Sequence, residues 1–559
     1  MKKTIQVNIY ITLLSFLLSG CGKKNTIMPV TPTPDPLSVV SVKINTATLT
    51  GTVNYNIATS VVAKIYFNQS VDRSTVSNAV NISAGGAGAI PVVFSYENND
   101  STVVIKPLTA LQYLTRYQLY IDNSIQSAKK SSQTSPYSLY FTTQIDSSDK
   151  FPVIADNALL DTIQRRTFRY FWDFGHPVSG LSRERNTSAD IVTSGGSGFG
   201  IMCIPVAISR NFITRAQGLS RMQTIVSFLK NTAQKFHGAF PHWLNGANGA
   251  VVPFSTKDNG ADLVETSYLI AGLLTARQYF DGTNMAEVNL RNDINAIWDA
   301  VEWSWFRQNN QDVLYWHWSP NYNWEMNHQI QGWNECLITY LMAASSNTSA
   351  IPSSVYHKGF ARTGAMQNNK QFFGYTLPLG PDYGGPLFWS HYSFLGVNPN
   401  GLKDAYADYQ VQVVNHTKIN YEYCKSNPNG YYGYSSSCWG LTASDIPNGY
   451  SANEPRNDKS VISPTAALSS FPYTPTESMQ ALKFFYYTLG DKIFGQYGFA
   501  DAFSLKENWY ASSTLAIDQG PIIIMIENYR TQMIWNLLTA CPEVKRGMKS
   551  LGFTAPYLQ

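Results

Sequence analysis

The strongest constraint in this 559-residue chain is the stretch Asp258-Asn259-Gly260-Ala261-Asp262-Leu263-Val264-Glu265-Thr266-Ser267-Tyr268-Leu269-Ile270-Ala271-Gly272-Leu273-Leu274. It reads as a loop that turns into a helix. Beyond Glu265 the apolar residues run almost all the way round, so the helix must be buried inside a larger set of helices. Asp262 and Glu265 stand three residues apart and share a face. Asp-x-x-Glu before an apolar run fits a capping box, and carboxylates suit the positive end of the helix dipole. The same pattern also suits the wall of an acid-lined cleft. This stretch alone leaves both readings open.

The composition narrows the partner. Charged residues make up 14% of the chain and aromatics 13%, and the net charge is only +4. With no basic stripe, nucleic acid is excluded as a natural partner. Abundant Trp, Tyr, Asn and Ser suit a neutral polar ligand such as a sugar, whose C–H faces stack on rings while its hydroxyls need amides and carboxylates.

Lys2 and Lys3 precede an apolar run from Ile9 to Leu18, which ends in Leu18-Ser19-Gly20-Cys21. A basic start, a short apolar segment and small residues make a secretory signal too short to span a membrane permanently. The ending resembles the bacterial lipoprotein box, which implies lipidation at Cys21 and attachment to the cell envelope through that anchor alone. Residues 22–37 carry Pro29, Pro32, Pro34 and Pro36 and read as an extended tether. Cys203, Cys336 and Cys541 sit in apolar surroundings and read as buried thiols. Cys424 and Cys438 flank a Gly/Tyr/Ser-rich loop and could pair in an oxidising compartment. Without a Cys-x-x-Cys or paired-His spacing, neither a structural zinc site nor any cofactor is expected.

Residues 38–147 are strand-like. Short β-branched and aromatic runs such as Val61–Phe67, Val92–Tyr96, Thr102–Ile105, Tyr117–Ile121 and Ser138–Phe141 alternate with turn clusters, as in a small β-sandwich. Phe67-Asn68-Gln69-Ser70-Val71-Asp72, Ile105-Lys106-Pro107, Thr115-x-Tyr117 and Phe141-Thr142-Thr143 resemble bacterial immunoglobulin-like domains, here read as a spacer. From 151 to 559 the texture is helical. Candidate helices begin near Asp156, Phe199, Gly218, Asp262, Met285, Ile330, Pro352, Tyr406, Pro464, Thr476, Gln519 and Glu543. Roughly a dozen helices without sustained strand alternation predict a closed ring of helix pairs. The loops at one end must then build any cleft.

Three kinds of loop could carry chemistry. In Thr187–Gly200 the glycine spacing matches neither a dinucleotide fingerprint nor a nucleophile elbow, and the glycines allow close approach to another backbone or a ligand. Asp190 within it points into a cleft or at its own turn. Aromatic clusters around His242-Trp243, Trp316-His317-Trp318, Trp324, Trp333-Asn334-Glu335 and Trp389 set rings beside hydrogen-bonding groups. Trp439–Tyr450 contains Asp445 ahead of Ile446-Pro447-Asn448-Gly449, where turn capping is the plain reading. Asp518 has the pattern of a helix N-cap, and Glu527 and Arg530, three apart, are expected to pair.

Leu263–Ser267, Gly195–Gly200, Trp439–Tyr450, Pro464–Tyr473 and Ala516–Arg530 resemble, in order, the glucoamylase-like family of bacterial (α/α)6-barrel proteins, and within it the β-1,2-glucanases. The resemblance implies a multidomain chain, an all-β Ig-like sandwich followed by an all-α (α/α)6 toroid. It implies a monomeric, inverting glycoside hydrolase of β-linked glucan, with no cofactor and no metal. Glu265 takes the acidic position at the head of an inner helix, as general acid, with Asp445 or Asp190 as the base. Asp262, His242, Trp243, Trp316, Trp324, Trp333, Glu335, Trp389, Trp439 and Asp518 are the candidate sugar contacts. The alternatives are a glycan-binding lipoprotein without turnover and a hydrolase of another glucan linkage. Burial among apolar residues raises a carboxyl pKa, which suits the acid of such a reaction.

Overall fold

The computed structural model describes residues 35–49, 53–85 and 88–559. The expected signal segment, Cys21 and most of the Pro-rich stretch lie outside the described residues. Two compact units follow: one runs to Leu111 and includes Tyr117–Phe141, and the other is Gln112–Arg116 with Thr142–Gln559.

The first unit is a β-sandwich. Its strands are β1 (Val39–Ile44), β2 (Ala47–Thr48), β3 (Val53–Ile57), β4 (Ala63–Phe67), β5 (Val80–Ala84), β6 (Val92–Glu97), β7 (Thr102–Pro107), β8 (Arg116–Ile121) and β9 (Tyr137–Thr143). They form one sheet in the order β2-β1-β4-β7-β6 and another in the order β3-β9-β8-β5. In β4 and β8 every second side chain is buried, so Ala63, Ile65 and Phe67 share a core with Tyr117, Leu119 and Ile121. A strand exposes alternate residues to opposite faces, and this pattern fixes the pairing register. The short helix α1 (Arg73–Ala79) is capped by Asp72, which accepts the Ser74 N–H.

The second unit is a closed ring of helices. Outer and inner elements alternate along the chain: α2 (Asp156–Trp172), α3 (Ser194–Ser209), α4 (Arg215–Asn231), α5 (Leu263–Tyr279), α6 (Met285–Asp299), α7 (Leu337–Ser345), a π-turn segment at Val355–Phe360, short 3-10 turns within 387–395, α8 (Tyr409–Ser426), α9 (Pro464–Leu468), α10 (Pro475–Lys483), α11 (Gly490–Ile493) and α12 (Ala516–Thr531). Among the inner helices, α5 packs on α3 and α7, while α12 packs on α9 and back on α3, which closes the ring. α3, α5 and α12 are buried nearly all round, as apolar helices without a polar face must be.

The glycine-rich segment expected to be a loop opens α3 instead, five residues before the expected start near Phe199. Glycine is a poor helix former, but here its lack of a side chain decides the packing. A Cβ on Gly198 would meet the Tyr268 carbonyl oxygen at 2.3 Å, and one on Gly272 would meet the Gly198 carbonyl oxygen at 2.3 Å. The two backbones therefore touch where α3 crosses α5. Gly198→Ala is expected to destabilise the ring by about 1–3 kcal/mol through overpacking, read as a lowered midpoint in thermal unfolding, with Asn347→Ala on the surface as control.

Two further local expectations are corrected. Asp518 is not the N-cap of α12; Leu515 holds that position and Asp518 is buried in the first turn. Glu527 does not pair with Arg530. It takes Arg210 at 2.7 and 2.8 Å, while Arg530 reaches Asp161 at 2.6 Å. Three apart on α12, Glu527 and Arg530 find neighbouring helices closer than each other. Cys424 and Cys438 are both free, buried thiols. Among the described residues no helix is long and apolar enough to cross a membrane.

Candidate active site

The cleft lies at the ends of the inner helices and encloses about 410 Å³. Glu184, Arg185, Thr193, His242, Trp243, Phe254, Glu265, Tyr268, Tyr392, Tyr450, Leu515 and Ile517 are among the residues that line it. It is aromatic on most sides, with polar groups brought in at a few points, as expected of a pocket for a small polar ligand.

The head of α5 satisfies both sequence readings at once. Asp262 is fully buried; its Oδ1 accepts the Glu265 N–H at 2.9 Å and caps the helix. Its other oxygen stands 3.1 Å from His242 Nδ1 and 3.7 Å from His317 Nε2, and Asp258 lies 3.4 Å from the same His317 nitrogen. Burial disfavours a charged His242, but Glu265, Asp262 and Asp258 outweigh it and push its pKa up to about 9. Burial, and then the neighbouring Asp262, push Asp258 up to about 7. Asp262 itself is held low: the His242 hydrogen bond and His317 overcome its desolvation. The result is a positive His242 facing the cleft, backed by an anionic Asp262 that does not itself reach it. His242, Asp258 and Asp262 bring ligand atoms within 4.8 Å of one another, so this is also the set that could hold a cation.

Glu265 lines the cleft. Its Oε2 accepts the Gly195 N–H at 2.6 Å and the Thr193 hydroxyl at 3.2 Å. The glycine contact is possible only because residue 195 has no side chain: a Cβ there would stand 2.6 Å from the same oxygen. Burial raises the Glu265 pKa against the opposing effect of His242. Glu335 precedes α7 and is half-buried. It is not among the residues that line the cleft; its backbone carbonyl accepts from Tyr268 at 3.3 Å and Ser393 at 2.5 Å, and its carboxyl takes its own backbone N–H. Desolvation is the main influence on its carboxyl, and Glu265 and Asp262 add repulsion, so its pKa is pushed up to about 7.

A second group of acids stands by the start of α12. Asp445 is ion-paired with Arg185 at 3.2 Å and accepts the Ser513 hydroxyl at 2.5 Å. Its backbone N–H donates to Asp501 at 2.7 Å. Asp501 and Asp518 are each 2% exposed and are hydrogen-bonded through their side chains. Two acids in one buried site cannot both ionise. Burial pushes Asp501 up to about 6, and burial together with Asp501 raises Asp518 well above the usual range. Asp518 Oδ2 is buried without a hydrogen-bond partner. Asp518 lies close enough to Tyr392 and Tyr450, which line the cleft, to influence both, although neither it nor Asp501 is part of the lining.

The remaining candidates are spread more widely than the sequence suggested. Trp243 lines the cleft beside Phe254, with ring centroids 4.8 Å apart. Asp190 does not line it: its side chain is 60% exposed and bonds His176 at 3.2 Å. Trp439 is fully buried and donates to the Glu477 carbonyl, and Trp333 is buried against Phe394 and Tyr409, so both are core residues. Trp316 stacks on His328, Trp324 packs on Trp305, and Trp389 abuts Gly385, all away from the cleft lining. Asp501, Phe254 and Arg185 were not singled out from the sequence, whereas Tyr392 belongs to the aromatic cluster around Trp389. For Asp501 a signal existed, an aspartate inside the apolar run Phe499-Ala500-Asp501-Ala502-Phe503.

With this geometry in place, comparison with known proteins gives the family. Residues 34–143 match the family described as "Bacterial Ig-like domain", and 327–542 the family described as "Putative glucoamylase". An endo-β-1,2-glucanase from Chitinophaga pinensis, solved with sophorotriose and glucose, is 52% identical; the match covers 72% of this chain and all of that one, with a TM-score of 0.71. The chain belongs to the glucoamylase-like family. A second structure, a β-1,2-glucanase from Parabacteroides distasonis, is 36% identical; the match covers 92% of this chain and 74% of that one, with a TM-score of 0.70. A curated relative from the same species, an exo β-1,2-glucooligosaccharide sophorohydrolase acting at the non-reducing end, is 43% identical over 431 residues. That match spans 73% of this chain and 60% of the relative's length.

Proposed function

We propose that this protein is an inverting glycoside hydrolase of β-1,2-glucan or its oligosaccharides, held at the cell envelope by a lipid on Cys21. The observation that carries the activity is the aromatic cleft lined by Glu265, with Glu335 in electrostatic reach of that carboxyl and the separate Asp445–Asp501–Asp518 group behind Arg185 and Tyr450. Glycosidic cleavage needs just such a division, an acid at the leaving oxygen and a carboxylate for water, and inversion needs room for the water between them. The similarity to β-1,2-glucanases supplies the linkage.

Within this scheme Glu335 is the proton donor. Glu265, the acid expected from the sequence, has one oxygen tied to Gly195 and Thr193. Donors of that kind favour its anion against the burial that raises its pKa, while desolvation first, and repulsion from Glu265 and Asp262 after it, keep the proton on Glu335. The Asp501–Asp518 pair is the base. It shares one proton and one charge: Asp518 is the stronger proton holder, Asp501 carries the charge, and Asp501 Oδ1 and Asp518 Oδ2 are both buried without a hydrogen-bond donor. Asp445, tied to Arg185 and Ser513, orients Asp501 through its backbone N–H.

The test is product analysis on a panel of linear glucans, with the anomer of the first product followed by NMR. Cleavage of β-1,2-glucan with inversion is expected. Binding without turnover would make the protein a glycan receptor, and retention would overturn the mechanism. The pH profile follows from the same groups. The acid must keep its proton, which Glu335 does below about 7, and the pair must have lost one, which it does above about 6. A narrow bell in kcat/KM with limbs near those two values is expected.

For the anchor, the Cys21→Ser variant is expected to leave the membrane fraction for the soluble one. Persistence in the membrane would overturn that part of the proposal. The mature protein is taken to act as a monomer, which sedimentation would check.

A further inference from the structure

A second groove, of about 530 Å³, adjoins the cleft. Arg185 and Tyr450 line both, so together they form the ridge between the two spaces. On the far side of the ridge stand Trp509 and Tyr510, presented by a hairpin in which Phe503 pairs with Tyr510 and Ser504 with Trp509. Both rings are half-buried, and Tyr450 is 48% exposed. Asp445 and Ser513 supply polar groups at the floor of the groove. Each space has the volume of a small-ligand site. An aromatic surface with a few polar groups is the chemistry that holds a sugar ring by its C–H face and its hydroxyls.

We infer that this groove is a binding site for the distal glucosyl units of the same glucan chain that is cut in the cleft, and that it sets the enzyme's preference for longer substrates. The inference rests on the glucanase reading above. The occupant follows from continuity: the two spaces share Arg185 and Tyr450 as a common wall, so a chain seated in the cleft that passes them enters the groove. Arg185 gives the ridge rigidity, since Glu184 holds it at 2.9 Å from the cleft side and Asp445 at 3.2 Å from the groove side.

The experiment compares kcat and KM across β-1,2-glucooligosaccharides of increasing length for the wild type, Trp509→Ala and Thr187→Trp. Thr187 is an exposed residue on the groove wall, so the second variant fills the groove without disturbing the hairpin. For the wild type KM should fall as chains become long enough to reach the groove. In both variants KM for long chains should rise about tenfold, the loss of one good aromatic contact. Turnover of the shortest cleaved substrate should stay at the wild-type value. If neither variant changes the length dependence while the wild type cleaves β-1,2-glucan, the groove is not a sugar site and the glucanase reading stands. A rise in KM that is equal on short and long substrates would also overturn it. If the wild type cleaves no glucan of this linkage, the functional reading falls and the groove falls with it.

Discussion

Glu335→Gln is expected to lower kcat on β-1,2-glucan by about 10²–10⁴-fold, the usual contribution of a positioned proton donor, while leaving the fold and substrate binding in place. The carboxyl's one hydrogen bond is accepted from its own backbone N–H, which the amide oxygen can still accept, so the ring should melt near the wild-type temperature. Glu265→Gln should behave differently. The amide oxygen can still accept the Gly195 N–H, but the charge beside Glu335 is gone. Removing a neighbouring anion makes ionisation easier, so the pKa of Glu335 falls from about 7 and the alkaline limb of kcat/KM moves to lower pH. The two profiles measured together distinguish donor from neighbour. If Glu265→Gln abolishes turnover and Glu335→Gln does not, the roles assigned to the two carboxyls are reversed.

Asp518→Asn is expected to cost a comparable ~10²–10⁴-fold in kcat, because it dissolves the shared-proton pair through which Asp501 acts on water. Asp445→Asn should cost less: its backbone N–H still holds Asp501 at 2.7 Å, and the loss is the Arg185 ion pair. Burst-free steady-state kinetics on a short oligosaccharide, with binding measured separately by calorimetry, read both. Near wild-type turnover in Asp518→Asn would move the base to Asp445. Asp190→Asn, on an exposed side chain outside the cleft lining, should be close to neutral in both readouts.

Much of the architecture was written in patterns along the chain. Period-2 burial in β4 and β8, the abrupt change to helical texture after residue 150, and helices with no polar face are local statements of what must be covered. A helix such as α5, apolar all round, can exist only as the inner member of a ring. The Asp262–Glu265 pattern was legible too, and it proved to be a cap by one residue and a cleft wall by the other. That outcome could not be chosen from the sequence, because Asp262 and Glu265 share a helix face and only their neighbours separate them.

What the tertiary structure decided was proximity. Tryptophans count equally in a sequence, yet Trp243 lines the cleft while Trp439 is sealed in the core, since burial depends on which helix end a loop returns to. The glycines of α3 were legible as a need for close approach, but not as a helix, because the contact that outweighs their poor propensity is the α5 backbone itself. The acids show the limit most clearly. Asp445, Asp501 and Asp518 are scattered over 74 positions of sequence and meet only where the loops carrying Asp445 and Asp501 close on the first turn of α12. A carboxyl's pKa is set by the charges and apolar surface within a few ångströms of it. The residue types came from the sequence, and which of them hold a proton was decided by the closure of the ring.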